Sequence, residues 1–140
     1  MIREAEERDI NEVMSFMSPE ELSRFSLAGL SARDAIKASL GPFTYCGVVQ
    51  DKVACMFGIR FSEDIGEPPI LWLIRGPLVQ EHKIEFLRAT RLFVQRAVGI
   101  WGPVESCVLN TNTLSIRWLT WLGFKSVSSI GNFIRMRKDA

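Results

Sequence analysis

Hydrophobic positions change their spacing several times along the chain, and each change marks an element. Met1 to Ala5 reads as a short strand, and Asp9 is placed as the N-cap of a helix with Ile10, Val13, Met14 and Met17 on one stripe. Ser18-Pro19-Glu20-Glu21 joins a capping serine, a proline at the first helical position and an acid three residues after the cap. A second helix therefore starts there, with Leu22 and Phe25 inward. Ser31-Ala32-Arg33-Asp34 repeats the form with aspartate in place of glutamate, and Gly41-Pro42 supplies the stop.

At Phe43 the pattern turns to strands. FTYCGVVQ and VACMFGIRFS, joined by Asp51-Lys52, predict an antiparallel hairpin rich in β-branched and aromatic residues. After the acidic, proline-bearing loop Glu63 to Pro69, ILWLI is an apolar run of strand length, read as a buried central strand. From Lys83 to Val98 the period is helical: Phe86, Ala89, Phe93 and Ala97 form the stripe, and Leu87, Val94 and Val98 widen it. Arg88, Arg91 and Arg96 point outward and Gly99 ends the helix. Glu105 to Leu109 predicts a strand, Thr113 to Leu122 a helix closed by Gly123, and Phe124 to Val127 with Asn132 to Arg137 a last pair of strands. The order β-α-α-β-β-β-α-β-α-β-β describes an α/β fold, one mixed sheet with helices on both faces.

Composition narrows the classes of function. A chain of 140 residues fits one domain, 1–140, and can bury a core without disulfides or a structural metal. Lys and Arg total 17 against 16 for Asp and Glu, so no global charge draws the protein to nucleic acid or anionic lipid. Cys46, Cys55 and Cys107 are odd in number and show no CxxC spacing, which favours a reducing compartment. A metal site would have to be assembled from the single histidine, His82, and scattered acids such as Glu63, Asp64 and Glu67, so none is expected. The amino terminus is charged from its third residue, and no apolar run approaches the ~20 residues that span a bilayer. The expected location is a cytoplasm or a particle assembled there.

Two segments carry a family resemblance. The opening IREAEERDINEVMSFM resembles the first strand and helix of the GNAT superfamily of acyl-CoA-dependent N-acetyltransferases, and Asn112 to Phe124 (NTLSIRWLTWLGF) resembles that family's asparagine, helix and Leu-Gly-Phe ending. The resemblance implies a GNAT-like, mostly antiparallel sheet. PPILWLIRGPLVQEHKIEFLRATRLFVQ, followed by VLNTNTLSIRWLTWLGF, is also similar to the small GNAT-like internal virion proteins of short-tailed phages and prophages. It departs from them at Ile74-Arg75-Gly76, where those proteins tend to have Leu-Gly-Thr. This narrower resemblance implies a bacterial cytoplasm or a phage virion as the setting, and protein partners.

Active members of the superfamily hold the diphosphate of acetyl-CoA with a Gln/Arg-x-x-Gly-x-Gly/Ala loop, whose glycines let backbone amides reach the anion. The corresponding stretch here is Gln80-Glu81-His82-Lys83-Ile84-Glu85, which has no glycine and has two acids. Such enzymes often protonate the leaving thiolate with a tyrosine on the last helix. Four residues before Gly123 stands Leu119, and the chain's one tyrosine is Tyr45, on a predicted strand. The resemblance leaves Arg75, Gly76, Lys83 and Asn112 as the candidates to touch a cofactor, and assigns no catalytic residue. Asn112 before a helix reads first as a cap or turn residue.

The other chemistry-bearing residues have structural readings. His82 near a helix start reads as solvated surface, and Cys46 and Cys55 in apolar strands as small buried hydrophobes. Core packing accounts for Trp118 and Trp121, with a binding patch extended by Trp101 as the alternative. Arg88, Arg91 and Arg96 read as a solvated face, since a phosphate-contacting stripe needs aromatic platforms beside it. Two functions remain. The first is a phage GNAT-fold protein with a degenerate acyl-CoA site and no bound cofactor, working through protein contacts. The second is an active N-acetyltransferase, with acetyl-CoA splayed between the Ile70 to Arg75 and Glu105 to Leu109 strands.

Overall fold

The computed structural model describes residues 1–19, 21–22 and 31–139. Its elements are β1 (Ile2–Glu4), α1 (Asp9–Phe16), α2 (Ala32–Ser39), β2 (Thr44–Val49), β3 (Lys52–Arg60) and β4 (Ile70–Arg75). There follow α3 (Leu78–Glu81), α4 (Lys83–Trp101), β5 (Val104–Leu109), α5 (Thr113–Trp121), β6 (Lys125–Ile130) and β7 (Phe133–Lys138). The seven strands form one mixed, mostly antiparallel sheet in the order β1-β2-β3-β4-β5-β7-β6, with β4 and β5 parallel and registered at Ile70↔Glu105. The expected α/β class and chain order are therefore observed. The single-turn helix α3 is an addition to them.

The chain divides into two compact units, the first comprising Met1–Gly58 and Leu73–Lys83. In this unit Ile10, Val13 and Met17 are buried, as the α1 stripe requires, along with Ile36, Ala54 and Met56. Along β3 every residue from Val53 to Ile59 is buried. A strand covered on both faces loses the alternation of a half-exposed one, which is why its sequence is continuously apolar. The hairpin turn falls on Gln50 and Asp51, one residue earlier than expected, because Lys52 pairs with Val49. Both turn residues have positive φ, 48° and 64°, which matches the twist of the flanking strands.

Caps decide the helix ends of this unit. Ser18 and Glu21 form the expected reciprocal box: Glu21 N donates to Ser18 Oγ at 3.1 Å and Ser18 N donates to the Glu21 carboxylate at 3.2 Å. Phe25, expected inward on that helix, lies outside the described residues. Ser31 caps α2 through Asp34 N at 3.1 Å. Asp9 departs from its expected role. The N-cap of α1 is Arg8, and Asp9 sits one position later with its carboxylate turned back to Arg3. A guanidinium donating two bonds holds the carboxylate more strongly than capping amides would.

The second unit comprises Ile59–Trp72 and Ile84–Ala140. Phe86, Val94 and Ala97 of α4 are buried here, as are Val104, Val108, Leu119, Leu122, Phe124 and Met136. Helix α4 does not stop at Gly99 but runs to Trp101. Gly102 ends it, with φ +81° and its amide donating to Val98 O at 2.8 Å. Gly123 closes α5 as expected with φ +99°, and Phe124 N returns to Leu119 O at 2.9 Å.

Thr90, a buried polar residue, joins the two helices of this unit. It accepts from Trp118 Nε1 at 3.0 Å and donates to Phe86 O at 2.8 Å. Thr90→Val keeps the shape of the side chain and removes the Thr90 hydroxyl that accepts from the buried Trp118 indole N–H, a loss of about 1–3 kcal/mol. Urea unfolding of this variant is expected to show a lower midpoint at unchanged slope, with Thr90→Ser retaining most of the stability.

Candidate functional site

The sequence candidates divide between the two units. Arg75, Gly76 and Lys83 belong to the first, and Asn112 to the second.

At the end of β4, Arg75 is half-buried, and burial pulls its guanidinium below its ordinary pKa while the nearby Glu21 charge opposes that shift. Gly76 follows, buried, with its amide donating to Ala54 O at 2.8 Å. A Cβ on Gly76 would lie 2.9 Å from that same carbonyl and 3.0 Å from the Phe16 ring. The glycine is thus required by close packing within the unit. Pro77 then stands at the N-cap of α3 and brings no N–H.

Three amides of the turn that follows donate within it. Val79 N donates to Gly76 O at 3.3 Å, Gln80 N to Pro77 O at 3.2 Å and His82 N to Val79 O at 3.2 Å. His82 leaves helical geometry, with φ −125° and ψ 34°, and separates α3 from α4. Its ring is half-buried, more enclosed than the solvated position expected. Lys83 and Glu85, in the first turn of α4, are exposed.

In the second unit Asn112 caps α5, its side-chain oxygen accepting from Ser115 N at 3.2 Å. Its capping role is therefore realised. Leu119, four residues before Gly123, is buried, and its side chain has no proton to donate. Tyr45, in the first unit, packs its ring 6.1 Å from that of Phe57.

The cysteines behave as their apolar strands dictate. Cys46 and Cys55 are fully buried. Burial raises the Cys55 thiol to about 11. It raises Cys46 further, with the Asp9 charge adding to the effect. Both are thiols at neutral pH and poor nucleophiles. Among the described residues no group of three His, Cys, Asp or Glu side chains could hold a metal ion. No described helix is long and apolar enough to cross a membrane.

Several charged arrangements had no signal in the sequence pattern. Asp9, 4% exposed, pairs with Arg3 through two bonds of 2.8 Å and also accepts from Glu6 N at 2.8 Å. Arg3 and these bonds lower the Asp9 carboxyl below its usual range. Glu105 on β5 is held by Arg137 on β7, with Arg137 Nε 2.9 Å from a carboxylate oxygen. Strand register could have shown this pair, since Glu105 and Arg137 stand opposite one another. Trp72 Nε1 is buried with no hydrogen-bond partner among the described residues.

Neither a protein-family model nor a curated protein matches the sequence. Solved structures do. A GNAT-family acetyltransferase from Bacillus anthracis is similar at 12% identity with a TM-score of 0.73, covering 99% of this chain and 93% of that one. The GNAT domain of PAT from S. lividans gives 14% identity and 0.73, covering 99% and 89%. PaiA N-acetyltransferase from Thermoplasma acidophilum, in complex with coenzyme A, gives 14% and 0.68, covering 100% and 98%. The chain therefore has the fold of the GNAT acetyltransferases over its whole length. At these identities the likeness concerns the fold, and what the site does depends on its own residues.

Proposed function

We propose that this chain is a phage or prophage GNAT-fold protein with a degenerate acyl-CoA site, working through protein contacts in the virion or the infected cell. The observation that carries the reading is the turn after β4. A diphosphate is held there by backbone amides aimed outward from a glycine-bearing helix start. In this chain Gly76, Val79, Gln80 and His82 donate their amides to backbone carbonyls, Pro77 has none, and Glu81 and Glu85 add negative charge beside the place of an anion. Lys83 is the cation offered in compensation. These residues do not fit a coenzyme diphosphate. The absence of a hydroxyl at Leu119, and Asn112's engagement as a cap, support the same reading.

The competing reading, an acetyl-CoA-dependent N-acetyltransferase, rests on fold likeness. Calorimetric titration with acetyl-CoA separates the two. No heat of binding at millimolar cofactor is expected. A dissociation constant tighter than about 100 μM, roughly −5.5 kcal/mol, would overturn the degenerate-site reading in favour of the enzyme.

A further inference from the structure

Within the second unit, α4 and α5 present a surface that is both cationic and apolar. The Arg91 guanidinium lies 5.2 Å from the centroid of the Trp121 ring, and that ring is 46% exposed. Arg88, three residues before Arg91, and Arg117, four before Trp121, are exposed neighbours on the same helix surfaces. Leu92 and Leu114 are exposed beside them. Helix α4 carries one acid, Glu85, and α5 carries none. Tryptophan and arginine together are the residues that anchor protein interfaces. The single aromatic platform and the two leucines suit a protein better than a nucleic-acid strand.

The same unit carries a complement to this surface. In the loop between β3 and β4, Glu63, Asp64 and Glu67 are exposed and surround Ile65, which is wholly exposed. Phe61, at the start of that loop, packs edge-on against Trp101 at the end of α4, with ring centroids 5.0 Å apart. Arg91 and Trp101 are ten residues apart on one helix, roughly 15 Å along its axis. The acidic loop is thus rooted at the Trp101 end of α4, five residues from Arg96, while Arg88 and Arg91 lie nearer the Lys83 end. The loop and the Arg88-Arg91 surface are opposite in charge, so the loop of one copy is complementary to the arginine surface of another.

We propose that the Arg88-Arg91-Arg117-Trp121 surface of one copy receives the Glu63–Glu67 loop of a second copy, with Ile65 as the apolar anchor. The contact is head-to-tail, so it propagates into a ring or an open filament and does not end at a dimer. The proposal rests on the protein-contact reading and names one partner for it. Its test involves no cofactor, so its failure is distinguishable from failure of the degenerate-site reading.

The full chain is compared by sedimentation velocity at about 20 mM and about 500 mM salt, where screening differs strongly. Mass is expected to grow with concentration at low salt and to fall to the monomer at high salt. Two charge-reversed variants are then made, R88E/R91E and E63K/D64K/E67K, with circular dichroism as the check on folding. Each alone is expected to self-associate at least about tenfold more weakly, because like charges then face each other. An equimolar mixture is expected to restore association, since every junction again joins opposite charges. Ile65→Ser, a change at a wholly exposed side chain, gives an independent arm and is also expected to weaken association. A monomer at all concentrations in low salt, or association indifferent to the reversals, would overturn the proposal.

Discussion

Asp9→Ala is expected to lower the unfolding free energy by about 3 kcal/mol at neutral pH, the order of loss when one partner of a buried ion pair is removed. Asp9 is almost wholly enclosed, and its carboxylate accepts two bonds from Arg3 and one from Glu6 N. Removing it takes the carboxylate from the Arg3 guanidinium, which keeps only its bond to Glu4 O at 3.2 Å among the bonds described, and takes away the acceptor of the Glu6 amide. Arg3 retains some solvent access, 28%, which keeps the loss from being larger. The pH dependence has a definite sign. Because the folded-state pKa of Asp9 lies below its unfolded value, the contribution is fully present above the ordinary carboxylate range, about pH 4, and fades as pH falls through the folded value. Denaturant unfolding at pH 7 and near pH 3 tests this. The gap between wild type and variant is expected to narrow on acidification, and a gap that stays constant would refute the ion-pair account.

The second large effect is at Gly76, and it separates a packing role from a cofactor role. Gly76→Val places a branched side chain against the Ala54 carbonyl, at 2.9 Å from the first added carbon, and against the Phe16 ring at 3.0 Å. The carbonyl accepts the Gly76 amide, so it cannot retreat without loss of that bond. Overpacking of this kind costs about 1–3 kcal/mol, and valine stands at the upper end because its branches extend the clash. Alanine adds the Cβ alone and is expected to give a smaller loss in the same direction. Thermal unfolding of the three proteins checks the order glycine, alanine, valine. Equal stability for all three would show that the residue is free of Ala54 and Phe16, and would return it to consideration as a cofactor contact.

The element order was legible because changes in hydrophobic period are dictated by burial, and burial is what the sheet and helices share. The stripe of Ile10, Val13 and Met17 is buried in α1, and the unbroken apolar run of β3 is covered on both faces. Boundaries failed where a local signal met a stronger partner. Asp9 has the form of a cap, but Arg3 takes its carboxylate. Gly99 has the form of a stop, yet in a helix whose next residues continue the turn a glycine lacking a left-handed conformation is only a weak spot, and Gly102 supplies that conformation. Thr90 could have been seen, since it lies four residues after Phe86 and four before Val94 on the buried stripe.

The candidate site was half legible. The missing glycines and the Leu119 position are properties of residue type and are visible in the sequence alone. The engagement of the Val79, Gln80 and His82 amides is a property of backbone geometry at α3, which the sequence pattern did not predict. The pairing of Arg91 with Trp121 joins residues thirty positions apart on different helices, and it requires α4 and α5 to be packed together before it can be seen. The arginine stripe, read from sequence as solvated for want of an aromatic platform, has one in Trp121.

The claim on which the functional account stands is that the amides of Gly76, Val79, Gln80 and His82 after β4 are already engaged and are not offered to a diphosphate. Amide-resolved NMR titration with coenzyme A examines those groups one by one. The account predicts that the resonances of Gly76, Val79, Gln80 and His82 hold their positions as the ligand reaches millimolar concentration. Saturable shifts of these same amides, at ligand concentrations well below that, would contradict it.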